Sequence, residues 1–177
     1  MNRWEGGILN MNDKDIGFFK MLYCCGVITN YGISIMNISS YKLNKYVSNN
    51  MIQVVFEDGI RGYKLTSKSK NILSKKYGLN KNYIFRSIKH CSKLQEIYLN
   101  LDLNRYKWIT ESEALNLINK KEYNLLNISP VDAIIVDCET NVMYGIEVVT
   151  KSYREKDLIK KEKFLSIFNI LAVFIDS

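Results

Sequence analysis

Several things are scarce in this chain of 177 residues. It has one histidine, His90, and four cysteines, of which Cys24 and Cys25 are adjacent while Cys91 and Cys138 stand alone. No Cys-x-x-Cys pair occurs, so zinc-ligand spacing is absent and buried thiols are the expected role of the cysteines. No apolar run reaches the length of a bilayer span; Ile134 to Val136 and Ile170 to Ile175 are strand-sized. Met1-Asn2-Arg3-Trp4-Glu5-Gly6-Gly7 lacks the apolar centre of a signal peptide. These absences argue for a cytoplasmic protein without a membrane partner. No linker rich in Gly, Pro or Ser divides the chain, so its halves are expected to pack together. No internal repeat or low-complexity tract is present.

What is abundant is lysine. The formal net charge is +7, unevenly spread. Residues 1–78 hold eleven Lys/Arg against five Asp/Glu (+6), residues 79–104 four against two (+2), and residues 105–177 ten against eleven (−1). A basic front half on a near-neutral back half suits contact with a polyanion. Lysine outnumbers arginine twenty to five, which the base composition of an AT-rich gene would also produce. The asymmetry survives that objection better than the total does.

The front half reads as three helices, a hairpin and a helix. Ile16, Phe18, Phe19, Leu22 and Tyr23 give a helical stripe over 13–25, opened by an Asp cap. A short helix over about 29–36 follows. Ser39-Ser40 then caps a helix in which Leu43 and Val47 face inward. Strands are predicted over 51–56 and 62–65 around the turn Glu57-Asp58-Gly59, then a helix over 67–77 ending at Gly78. Asn49 to Ile52 and Gly62 to Thr66 resemble the turn into the wing and the exit from it in winged helix-turn-helix domains, over residues 12–78. That resemblance implies double-stranded DNA as partner, with Ser40, Tyr41, Lys42, Asn44 and Lys45 facing the groove, Arg61 on the wing and Lys64 beside it. Paired half-sites would suit a homodimer. Glu57-Asp58 at the wing tip would repel phosphate and motivates a competing reading, a protein-docking module.

In the middle, Ile84, Ile88, Cys91, Leu94 and Tyr98 predict one long connecting helix over 80–101, with Arg86, Lys89, His90 and Lys93 on its other side. Thr110 and Glu113 form a capping-box pattern for a helix running to about Tyr123. Beyond Pro130 come strands over 133–137 and 143–149, a helix over 153–168 with Lys156, Lys160 and Lys163 outward, and a buried strand over 170–175. The expected fold class is α+β: a winged helix over 12–78, a connecting helix over 79–104, and a small α/β domain over 105–177.

Pro130-x-Asp132 and Glu147 on this framework resemble the PD-(D/E)xK nuclease core. The resemblance implies that Asp132, Glu147 and a helix carboxylate, Glu111 (or Glu113), hold magnesium if the domain is active; no other cofactor is implied. It also implies a lysine two residues after Glu147, where this chain has Val149. Lys151 lies ~13 Å further along a regular strand, and Lys156 or Lys160 of the next helix could substitute for it. The whole arrangement, over about 12–168, resembles the replication-relaxation family of plasmid, phage and conjugative-element proteins, which join a winged helix to a nuclease-like domain. This implies a role in replication initiation or transcription control with a non-catalytic nuclease-like half. A magnesium-dependent endonuclease is the alternative.

Overall fold

The computed structural model describes residues 11–79, 82–117 and 126–176. Helix α1 (Asp13–Cys25) buries Phe18, Phe19, Leu22 and Tyr23. Its cap is Asn12 rather than an aspartate. The Asn12 side chain accepts the Asp15 N–H at 2.9 Å, and the Asp15 carboxylate accepts the Asn12 N–H at 3.2 Å, a closed capping box. The helix stops at Gly26, whose φ of 82° favours glycine. Strand β1 (Ile28–Thr29) leads into α2 (Asn30–Ile35), and α3 (Ser40–Ser48) follows, capped by Ser39, with Leu43 and Tyr46 buried. Strands β2 (Ile52–Glu57) and β3 (Ile60–Leu65) form a hairpin. Its turn residues Asp58 and Gly59 both have positive φ, 49° and 75°, as a two-residue hairpin of this twist requires. The sheet order is β1-β3-β2. Helix α4 (Ser67–Tyr77) is capped by Thr66 and ends at Gly78.

The middle differs from expectation. Helix α5 spans only Ile88–Leu99; positions 80 and 81 of the expected long helix lie outside the described residues, and 82–87 are irregular. The start is set by two caps. Ser87 accepts the His90 N–H at 3.1 Å, and the Glu57 carboxylate, reaching from the β2–β3 hairpin, accepts the Ile88 N–H. Nor is α5 merely a connector: it packs on α1, α2, β1, β3 and a strand of the second half. Gln95, fully buried, accepts the Thr29 N–H at 2.8 Å. Gly32 makes room for it, since a Cβ there would lie 2.7 Å from Gln95 Cδ.

The second half is a four-stranded sheet, β4 (Tyr106–Thr110), β5 (Ala133–Asp137), β6 (Met143–Val149) and β7 (Leu171–Asp176), in that spatial order. Thr110 and Glu113 close a capping box on α6 (Glu111–Ala114), followed by a 3₁₀ turn over Leu115–Leu117; the expected continuation to Tyr123 lies outside the described residues. Neighbouring strands are antiparallel except β6 and β7, which are parallel and joined through α7 (Glu155–Ile167). Strand β4 is additional to the expected set. Strand β7 is an edge with Leu171 and Phe174 exposed, not the buried strand its composition suggests, because no described strand pairs with its outer side. Gly145 lets α7 close on the sheet: a Cβ there would collide with Leu165 Cδ2.

The largest core cluster runs from Phe18 through Leu94 to Trp108, Ile146 and Val148, so both halves share it. A smaller one, including Val131, Ile134, Phe164 and Leu165, fills the sheet's other face beneath α7. The architecture is α+β, with seven α-helices and two sheets among the described residues. No helix among them is long and apolar enough to cross a membrane.

Candidate functional site

The two acidic residues singled out by sequence come together in the protein interior. Asp132 immediately precedes β5 and Glu147 sits in β6, and both are 0% exposed. The Asp132 N–H donates to Glu147 Oε2 at 3.0 Å, and the Val148 N–H donates to Asp132 Oδ2 at 2.9 Å. Pairing of the two strands therefore fixes both carboxylates.

Each carboxylate is then surrounded by donors and cations. Asp132 Oδ1 accepts the Tyr83 hydroxyl at 2.8 Å and lies 3.6 Å from Arg86 Nη1. Its Oδ2 is 3.0 Å from His90 Nε2. Tyr83, Arg86 and His90 all come from the segment joining the halves, so Asp132 fastens that segment to the sheet. Glu147 Oε1 accepts the Tyr153 hydroxyl, and Oε2 lies 3.0 Å from Lys161 Nζ. Lys161 also donates to the Pro130 carbonyl at 2.6 Å. Arg86 extends the network by donating to Glu111 Oε1 at 2.7 Å. Glu113 takes no part: it closes the α6 cap and accepts the Tyr23 hydroxyl at 3.1 Å.

The two carboxyls are driven apart electrostatically. Burial pushes Asp132 up, but His90, Arg86 and Lys161 outweigh it and hold the group below the usual carboxylate range. Glu147 is pushed up, by burial first and by the Asp132 charge second, against the pull of Lys161 and Tyr153. Burial and the adjacent Asp132 charge also raise the Tyr83 phenol.

This arrangement does not fit a magnesium ion. A hard divalent cation needs several converging oxygen ligands with free lone pairs. Here Arg86 stands between Asp132 and Glu111, and Lys161 caps Glu147. Among the described residues, no three carboxylate, imidazole or thiol side chains gather closely enough to hold one ion. Protein cations already supply the counter-charge a metal would bring.

The lysine that meets Glu147 is none of those expected to serve it. Lys151 and Lys156 are exposed, and Lys160 is half-buried. Lys160 lines, with Arg86, Ser129, Tyr153 and Lys161, a cleft of about 360 Å³ beside the cluster. Lys161 is the lysine that meets Glu147, at 4% exposure. Its signal in the sequence is a lysine three residues after Leu158 and four before Leu165, inside the apolar stripe of α7. His90, expected on the outer side of its helix, is likewise 2% exposed.

On the first half, Ser40, Tyr41, Asn44 and Lys45 are exposed along α3, Tyr41 at 78%. Lys42 is half-buried and ion-paired to Asp15, which also accepts the Tyr46 hydroxyl. Arg61 stacks over Tyr63 and its cross-strand partner Phe56, 5.1 and 5.9 Å from the ring centroids. Three residues on, Lys64 has the opposite side-chain parity in the strand and lies 4.8 Å over the Phe85 ring. The hairpin thus carries Arg61 and Lys64 on different faces. Of the two acids near the hairpin turn, Glu57 is turned onto the start of α5.

No family model, curated protein or solved structure matches this chain.

Proposed function

We propose that the chain is a double-stranded DNA-binding protein of a mobile element, acting in replication initiation or transcription control, whose first half is a winged helix-turn-helix and whose nuclease-like second half does not cut. The observation that carries the binding reading is the exposed face of α3, where Ser40, Tyr41, Asn44 and Lys45 stand free of the core. A helix about 10–12 Å across enters the major groove, and polar and basic side chains along it reach base edges and phosphates. Engagement of Glu57 by α5 leaves one carboxylate, Asp58, at the wing tip, which weakens the case for a protein-docking module. The replication role rests on the resemblance to replication-relaxation proteins.

Binding to an AT-rich duplex should fall steeply with salt. If Lys45 neutralises one phosphate, Lys45→Ala should reduce the slope of log K against log salt by about 0.9. Binding that is indifferent to salt and to Lys45→Ala would overturn the reading. One observation favours the endonuclease alternative, namely Lys161 beside Glu147 in place of the missing strand lysine. Metal-dependent nicking of plasmid DNA that Glu147→Gln abolishes, with the fold retained, would establish it.

A further inference from the structure

Between Asp58 and Glu96 the chain carries ten Lys/Arg and no Asp/Glu. Part of that run forms α4, whose first turn is anchored against the end of α3. The Thr66 hydroxyl donates to the Asn50 carbonyl at 2.7 Å, and Lys68 Nζ donates to the Asn49 carbonyl at 3.2 Å. Asn49 caps α3 one helical turn beyond Lys45. Along α4, Lys68, Asn71 and Lys75 recur at i, i+3 and i+7 and so share one face. Lys68 is half-buried where that face meets α3, while Asn71 and Lys75 are exposed. Lys70 is also exposed but projects about 140° around the helix from Lys75.

We propose that the DNA interface continues past α3 onto α4, with Lys68, Asn71 and Lys75 forming a second track that contacts the phosphate backbone. This rests on the duplex-binding reading above. The track begins where α3 ends and follows a helix roughly 16 Å long, enough to pass several phosphates of one strand. A point-charge lysine and a small amide can both donate to phosphate oxygens, and contacts made there carry no base-specific pattern. The α4 contribution is therefore independent of DNA sequence, whereas the exposed face of α3 supplies any discrimination.

The test measures duplex binding by fluorescence anisotropy over a salt series for the full chain, Lys45→Ala, Lys75→Ala and Lys70→Ala, with urea midpoints as a check on folding. Lys75→Ala should lower the salt slope by about 0.9 and weaken binding equally on unrelated duplexes. Lys70→Ala, which removes the same charge from the same helix, should leave the slope unchanged. Equal effects of Lys75→Ala and Lys70→Ala, in a protein whose Lys45→Ala variant has a reduced slope, would overturn the track alone. Absence of salt-dependent duplex binding by the unmodified protein would overturn the duplex reading and the track with it.

Discussion

Replacing Lys161 with methionine tests whether the Asp132–Glu147 cluster is architecture or machinery. Lys161 is 4% exposed, donates to the Pro130 carbonyl at 2.6 Å and stands 3.0 Å from Glu147 Oε2. Methionine keeps the length and the apolar packing but leaves a buried acid without its cation. Breaking one side of a buried ion pair costs about 3–5 kcal/mol. With an m-value of about 2 kcal/mol per molar urea, the unfolding midpoint should fall by about 1.5–2.5 M. The double variant Lys161→Met/Glu147→Gln should recover part of this loss, because no uncompensated charge remains and the Gln side chain can still accept the Asp132 N–H. A coupling of about 1–3 kcal/mol is expected between neighbours of this kind. Equilibrium urea unfolding of the four proteins, followed by far-ultraviolet circular dichroism, gives both numbers. A Lys161→Met midpoint within about 0.5 M of the parent's would refute the reasoning. If that same protein also lacked a metal-dependent nicking activity that the parent shows, the lysine would belong to catalysis.

Two further substitutions probe the fold and its charge balance. Gly145→Ala would drive a methyl into Leu165 and to within 3.1 and 3.3 Å of Ile170 and Val131. It should cost about 1–3 kcal/mol in urea unfolding, and an alanine tolerated without cost would show that α7 is not seated on β6. Asp15 is held below the ordinary carboxylate range: burial pushes it up, but Lys42, Tyr46 and the Asn12 N–H together outweigh that. Its folded value is thus the depressed one. The stability advantage of the parent over Asp15→Asn should be complete above ~pH 4 and vanish as pH falls through the lower folded value. An advantage that grew on acidification would contradict the ion pair.

Local signals identify the elements whose ends are set locally. The caps at Ser39, Thr66 and Gly78 and the two apolar runs between Ala133 and Val149 mark α3, α4, β5 and β6 nearly to the residue. What escapes depends on distant partners. Ile84, Ile88 and Cys91 keep helical spacing and so suggest a start for α5 near 80. Its true start is set with a carboxylate from the β2–β3 hairpin, and Ile84 is 63% exposed. His90 reads as solvent-facing because charge-bearing side chains usually are, and Lys161 is not singled out among the lysines of its helix. Each is buried because a carboxylate distant in the chain, Asp132 for His90 and Glu147 for Lys161, receives it. The pairing of Asp132 with Glu147 is legible, since strand register alone brings them together. Which lysine answers Glu147 is not, because that depends on how α7 turns as it crosses the sheet.

Asp132 takes its partners from the chain segment that bridges the two halves, and Glu147 takes its cation from the helix behind it. An acid so placed ties neighbouring parts of the fold together whether or not the protein ever meets a metal. Selection for a stable chain would then be enough to keep both carboxylates in place without any chemistry at them. In this fold Asp132 ties the bridging segment to the sheet and Glu147 ties α7 to it, so activity must be sought by assay instead of by motif.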